Sequence, residues 1–249
     1  MSRSVTWLGH ATVLLEVGGV RLLTDPLLRA RLAHITRRVR LVAPGRVDAV
    51  LISHVHRDHL DLPTLRGLGA GVPIIAPRGA AALLRRGIKG PGPSIPPVTE
   101  LAAGESTTVG GVTVTATEAV HDAWRGGRKI PALGYLVDDD LYFAGDTDRF
   151  AGMADLPPLE LALLPVWGWG PNIGPGHLDP QRAAEALADL RPRIAIPIHW
   201  GTYFPFPLGR DGHVLLRDPG PQFAAAAAAT APDTQVVVLQ PGGRFALAP

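Results

Sequence analysis

The 249-residue sequence has no cysteine. That excludes a disulfide scaffold, a zinc finger with thiolate ligands and a cysteine nucleophile. Lysine is nearly missing too: Lys89 and Lys129 are the only two, and every other basic residue is arginine, which stays charged throughout the physiological range. The balance of 24 basic against 22 acidic residues leaves a formal charge of +2, too little for a nucleic-acid footprint. No stretch approaches the roughly 20 apolar residues that span a bilayer; the Ala-rich run Phe223 to Ala231 is about half that length and reads as a helix. Met1 to Val17, with Trp7, His10 and Glu16, lacks the basic-then-apolar order of a signal peptide, so a soluble cytoplasmic protein without membrane insertion is expected. With 46% apolar and only 18% charged residues, the chain can bury a sizeable core.

Short apolar strands dominate the first third. Val5 to Leu8, Thr12 to Val17 and Val20 to Thr24 read as strands, the last two joined at Gly18-Gly19. The arginine-rich stretch 29 to 46 reads as a surface loop or short helix. Ala49 to Ile52 is a buried strand, Asp61 to Leu68 a helix with Pro63 in its first turn, and Ile74 to Ala76 then Gly79 to Arg86 repeat strand and helix. Pro91 to Pro97 cannot be regular structure and marks a junction near residue 95. Beyond it, Ser106 to Val109 and Val112 to Thr117 flank Gly110-Gly111, and Gly134 to Ala144 forms a hairpin. Leu161 to Pro165, Ile194 to Ile198 and Val236 to Leu239 read as strands; Pro180 to Leu190 and Gln222 to Ala231 read as helices. Residues 1–249 are expected to form one domain of two β-rich halves, an α/β (α+β) arrangement of two packed sheets flanked by helices.

The chemistry concentrates in Ser53-His54-Val55-His56-Arg57-Asp58-His59-Leu60-Asp61, directly after a buried strand. His54 and His56 are two apart near the strand end, so both side chains can point the same way. Three imidazoles and a carboxylate within six residues, with no thiolate, suit zinc or another borderline first-row cation. Each metal takes about four ligands, so further donors are expected at distant strand ends. His121 follows Val112 to Val120, Asp146 follows Leu141 to Ala144, and His199 follows Ile194 to Ile198. Open α/β sheets place their sites at such ends.

These motifs resemble the metallo-β-lactamase superfamily, whose signature matches His54-Val55-His56-Arg57-Asp58-His59. Trp7-Leu8-Gly9-His10-Ala11-Thr12, Leu23-Thr24-Asp25-Pro26, Phe143-Ala144-Gly145-Asp146-Thr147, His177-Leu178-Asp179-Pro180 and Ile198-His199-Trp200-Gly201 are similar to the branch that holds N-acylphosphatidylethanolamine phospholipase D and ascorbate-6-phosphate lactonase. The resemblance implies a four-layer αββα sandwich of two mixed sheets with the site at one edge. It implies two divalent transition-metal ions, zinc first with manganese or iron as alternatives. His54, His56 and His121 would bind one, Asp58, His59 and His199 the other, and Asp146 would bridge them. A hydroxide shared by the metals would attack a phosphodiester or a lactone or other ester. Asp58 would orient that hydroxide or take a proton.

Outside the ligand set, His177 is assigned to substrate contact or leaving-group protonation, and His10 and Asp25 to orienting ligands. His34 and His213 carry no signal. Trp124, Trp167, Trp169 and Trp200, with Tyr203, Phe204 and Phe206, could wall an apolar pocket. The substrate is expected to be a small molecule that the metals attract if it is anionic. Two other readings stand beside hydrolysis: a di-iron oxidoreductase of the same fold, against which His56 argues because a Glu usually replaces it there, and a non-catalytic metal-binding protein, which generally loses ligands. β-Lactamase activity itself is not expected, because those enzymes lack the bridging aspartate.

Overall fold

A computed structural model describes residues 3–87, 96–206, 208 and 213–247. The chain opens with β1 (Arg3–Gly9), β2 (Thr12–Val17) and β3 (Val20–Thr24), an antiparallel meander turning at Gly18 and Gly19, both with positive φ. Short strands β4 (Arg31–Leu32) and β5 (Ile35–Arg37) precede β6 (Ala49–Leu51), α1 (Leu62–Leu68), β7 (Ile74–Pro77) and α2 (Ala80–Gly87). After residue 95 come β8 (Val98–Leu101), β9 (Ser106–Val109), β10 (Val112–Glu118) and the ribbon of β11 (Trp124–Arg125) and β12 (Arg128–Lys129). Next are β13 (Leu133–Val137), β14 (Leu141–Phe143), β15 (Leu161–Pro165), α3 (Pro180–Leu190), β16 (Ile194–Ile198) and β17 (Tyr203–Pro205). The chain then forms α4 (Val214–Arg217), α5 (Pro219–Thr230), β18 (Gln235–Val236) and β19 (Arg244–Leu247).

Two seven-stranded mixed sheets result, ordered β19-β1-β2-β3-β6-β7-β8 and β18-β16-β15-β14-β13-β10-β9. Strand alternation explains how they stack. On β6, Ala49 and Leu51 face the second sheet and share a core with Val114, Tyr135 and Phe143, whereas Val50 and Ile52 face outward onto Leu65 of α1 and Leu84 of α2. On the far side, α3 and α5 bury Ala183, Leu187, Phe223 and Ala227 against the second sheet. The layers are therefore helix, sheet, sheet, helix, the expected four-layer order. Both α1 and α3 start as their sequences require, with Asp61 and Asp179 accepting the backbone N–H of Thr64 and Arg182 and a proline in the first turn.

Several expectations need correction. The stretch 29 to 46 is neither a loop throughout nor a helix: β4 and β5 join β17 in a three-stranded sheet, and Arg37 is buried there, donating to Leu8 O and Tyr203 Oη. Of the predicted strand Val236 to Leu239 only Val236 lies in β18, beside Gln235, and α5 starts at Pro219 rather than Gln222. Strands β8 and β19 complete the first sheet from beyond residue 95. Of the Pro91 to Pro97 segment, residues 91–95 lie outside the described residues.

Candidate metal centre

Topology gathers the donors before any side chain is considered. Strands β1, β3 and β6 run one way in the first sheet, and β10, β14, β15 and β16 run together in the second. Their C-terminal ends lead to His10, Asp25, His54, His121, Asp146, Trp167 and His199. Sites at the carboxyl ends of parallel strands follow from this geometry. The turns are tight: His10, Asp25 and His199 all have positive φ (54°, 33° and 64°), a strained conformation for side chains larger than glycine.

The side chains converge in two groups. In the first, His54 Nε2 and His121 Nε2 each lie 3.1 Å from His56 Nδ1. In the second, His59 Nε2 lies 3.0 Å from His199 Nε2 and 3.7 Å from Asp58 Oδ2. Asp146 lies between the groups. Its Oδ2 is 3.1 Å from His59 Nε2 and 3.9 Å from His54 Nε2, and its Oδ1 is 3.3 Å from His199 Nε2. All seven residues that the sequence nominates as ligands are brought together, and His177 borders them, with Nε2 3.7 Å from Asp146 Oδ2.

The outer ring atoms are committed, which fixes the inner ones. His59 Nδ1 donates to Asp25 Oδ2 at 2.7 Å, and His54 Nδ1 donates to Ser53 Oγ at 3.0 Å, which in turn donates to Asp25. His121 Nδ1 donates to Gly176 O and His199 Nδ1 to Trp167 O, both at 2.8 Å. In a neutral ring each Nε2 is then a bare lone pair aimed at its neighbours. Nitrogens 3.0–3.1 Å apart repel where both are lone pairs unless a proton or a cation sits between them, and backing of this kind typifies metal-ligating histidines.

Electrostatics agree with the geometry. Burial pushes His54, His56, His121 and His199 toward the neutral form, His199 down to about 3. Burial opposes the charge on His59 as well, but Asp146, Asp58 and Asp25 outweigh it and raise its pKa well above the usual imidazole range. Against burial, His199, His59 and His54 hold the Asp146 carboxyl well below the usual range. His59 and His10 do the same for Asp58. The carboxylates of Asp58 and Asp146 thus face mostly neutral imidazoles, with His59 the charged one, which leaves the cluster a surplus of negative charge. Asp146 Oδ1 is buried without a hydrogen-bond partner. These residues fit one or two cations bound through nitrogen and oxygen.

Several contributors escaped sequence reasoning. Ser53 links His54 to Asp25, and only its place beside the histidine motif hinted at a role. Trp169 was nominated only as a pocket wall, yet its Nε1 donates to Asp58 Oδ2 at 3.2 Å, beside His10 Nε2 at 3.1 Å, which the sequence did assign to orienting a ligand. Arg125 donates to Val55 O and Leu60 O, spanning the histidine loop, and nothing in the sequence marked it. The aromatic wall is smaller than expected. A cavity of about 350 Å³ opens onto the donors, and of the four nominated indoles Trp169 lines it, beside Gly168, Gly170, Asn172 and Ile173. Trp200 instead stacks on Trp7 in the core, Tyr203 and Phe204 are buried in β17, and Trp124 and Phe206 are exposed.

Comparison with known proteins gives the same placement. A family model described as a beta-lactamase superfamily domain matches residues 20–200. A UPF0173 metal-dependent hydrolase of Methanopyrus kandleri is 30% identical over 97% of this chain and 98% of its own. An N-acyl-phosphatidylethanolamine-hydrolyzing phospholipase D of Caenorhabditis elegans is 31% identical over 84% of this chain. The chain spans 66% of the length of that phospholipase, and the same share of uncharacterized Mycobacterium relatives at 32% identity. Among solved structures, a metallo hydrolase of Ignicoccus hospitalis gives a TM-score of 0.74 at 23% identity over 100% of this chain and 99% of that one, a likeness of fold. On the family match over most of its length, carried by a four-layer fold with its donors at the strand ends, the chain belongs to the metallo-β-lactamase superfamily.

Proposed function

We propose that this protein is a metal-dependent hydrolase with a binuclear centre, one catalytic domain over residues 1–249, acting in the cytoplasm on a small phosphodiester, lactone or other ester. The observation that carries the reading is Asp146, a buried carboxylate whose two oxygens face different histidines and whose Oδ1 has no hydrogen-bond partner. His54, His56 and His121 would hold one ion and Asp58, His59 and His199 the other, with Asp146 between them. Bound divalent ions, zinc foremost, would supply Lewis acidity toward a substrate oxygen and acidify a water.

The chain's own groups do the rest. His10 and Trp169 both hold Asp58 by Oδ2, which fixes the carboxylate while its other oxygen stays outside those two contacts. From that position Asp58 would accept a proton from the attacking water. His177, which lines the cavity, is anchored by Nδ1 donating to Pro175 O at 3.1 Å, with its Nε2 3.7 Å from Asp146 Oδ2. Protonated, that Nε2 would deliver a proton to the leaving oxygen. Trp169 and Ile173 would exclude water from the face opposite the donors. No helix among the described residues is long and apolar enough to cross a membrane, in keeping with a substrate met in solution.

The test pairs metal analysis with a hydrolysis screen. Purified protein should hold near two transition-metal equivalents and turn over either bis(p-nitrophenyl) phosphate or members of a lactone panel, with activity lost on chelation and regained on metal return. Full activity in protein stripped of metal would overturn the reading.

A further inference from the structure

Arg57 is a charge in the cavity that the metal donors leave unused. It lies between His56 and Asp58, its Cα about 3.8 Å from each of theirs, and all three side chains line the cavity. It is exposed, and among the described residues no carboxylate, carbonyl or hydroxyl holds its guanidinium. Many other arginines are paired: Arg29 with Asp61, Arg78 with Glu105, Arg149 with Asp189, Arg182 with Asp148, Arg193 with Glu160. The neighbouring cation, Arg125, is committed to Val55 O and Leu60 O, and its pKa is pushed down first by burial and then by the charge on Arg57. Asp61, the nearby acid, is taken by Arg29 and by the start of α1. The cavity's own acids, Asp58 and Asp146, belong to the donor set. Two divalent ions against those two carboxylates leave the centre positive, and Arg57 adds to that charge at its rim.

We infer that Arg57 binds an anionic group, carboxylate or phosphate, that the substrate carries beside the bond to be cleaved, while Trp169 and Ile173 cover the substrate's apolar part. The inference rests on the hydrolase reading above and narrows it to anionic substrates. A guanidinium presents a planar fork that matches two oxygens of either anion, and one left unpaired at a cavity rim is set to receive them.

The experiment uses the full metal-loaded chain, with Arg57→Ala and Arg57→Lys. Matched substrates differ in one anion: γ-butyrolactone against γ-carboxy-γ-butyrolactone, and p-nitrophenyl acetate against mono-p-nitrophenyl succinate. Metal content and thermal midpoint are measured alongside, and both should match the parent because Arg57 is exposed and holds no neighbour. The ratio of kcat/KM for the anionic member to that for the neutral one should fall about 10- to 100-fold in Arg57→Ala, chiefly through KM, and less in Arg57→Lys. Calorimetric titration with inorganic phosphate and with acetate reads the same contact without turnover and tells which anion is preferred. Equal losses on anionic and neutral substrates, or unchanged phosphate and acetate affinity, would overturn the role of Arg57. Should none of these esters, nor bis(p-nitrophenyl) phosphate, be hydrolysed, the hydrolase reading fails, and the titrations still decide whether Arg57 holds an anion.

Discussion

Asp25→Asn separates orientation of the ligands from ligation itself. Asp25 is fully buried and touches no proposed metal position, yet its carboxylate accepts from Ser53 N at 2.7 Å, from Ser53 Oγ, and from His59 Nδ1 at 2.7 Å. Asparagine keeps the shape but replaces one acceptor oxygen with an NH2 that must face a donor. One buried hydrogen bond is then lost and another donor opposed, each costing about 1–3 kcal/mol. The metal-free variant should therefore lose about 2–6 kcal/mol, which at roughly 2–4 °C per kcal/mol lowers its midpoint by about 4–24 °C. His59 also loses the partner that fixes its tautomer, and His54 loses it indirectly through Ser53. Loss of such backing typically costs about 10–100-fold in metal affinity. The assay is competition for zinc against a chromophoric chelator, followed by a melt of the stripped protein. Wild-type zinc affinity in a folded Asp25→Asn protein would show that Asp25 does not orient the ligands, and the account of the centre's outer contacts would fall.

Three further outcomes follow from the same geometry. Gly145 has φ +62°, and a Cβ there would come within 2.5 Å of Ser53 Cβ and 3.0 Å of Leu133 O; Gly145→Ala should cost several kcal/mol in a urea melt and displace Ser53, so a wild-type midpoint would refute the packing. Asp146→Ala should reduce bound metal below one equivalent and abolish turnover, whereas two retained equivalents would refute bridging. The metal-free protein should weaken in acid: burial places the folded-state pKa of His199 near 3, below the unfolded value of about 6.5, so the folded form binds fewer protons and stability present above pH 6.5 is lost as pH falls toward 3. His54 acts in the same direction; His59, raised, contributes stability below pH 6.5 that fades as pH rises through its folded pKa. Denaturant melts of stripped protein at pH 7 and pH 5 should show the acid loss, and equal stability at both would contradict it.

Much of the centre was legible along the chain. The motif from His54 to His59 states its own chemistry, because donors two apart after an apolar strand share a face; the strand ends before Asp146 and His199 follow from apolar runs that must be buried, and the one before His121 from the alternation of Val112, Val114 and Ala116. The missing cysteine made that chemistry one of nitrogen and oxygen. The stretch from Arg29 to Arg46 was misread because its arginines look like surface, while Arg37 is buried with both terminal guanidinium nitrogens donating to carbonyls and Tyr203 that come from elsewhere in the chain. Trp200 was misplaced for a related reason: nothing local distinguishes an indole at a cavity wall from one stacked on Trp7 across the core.

Sequence alone determined the donor types, the strand and helix periods and the family, since these are set by residue identity and short-range spacing. The tertiary structure decided what those donors face. Asp25 holding both Ser53 and His59, Trp169 and His10 sharing one oxygen of Asp58, and Asp146 setting Oδ2 beside His59 and His54 and Oδ1 beside His199 all join residues far apart in the chain. Such contacts depend on the register of two sheets packed face to face, a quantity that no local pattern encodes.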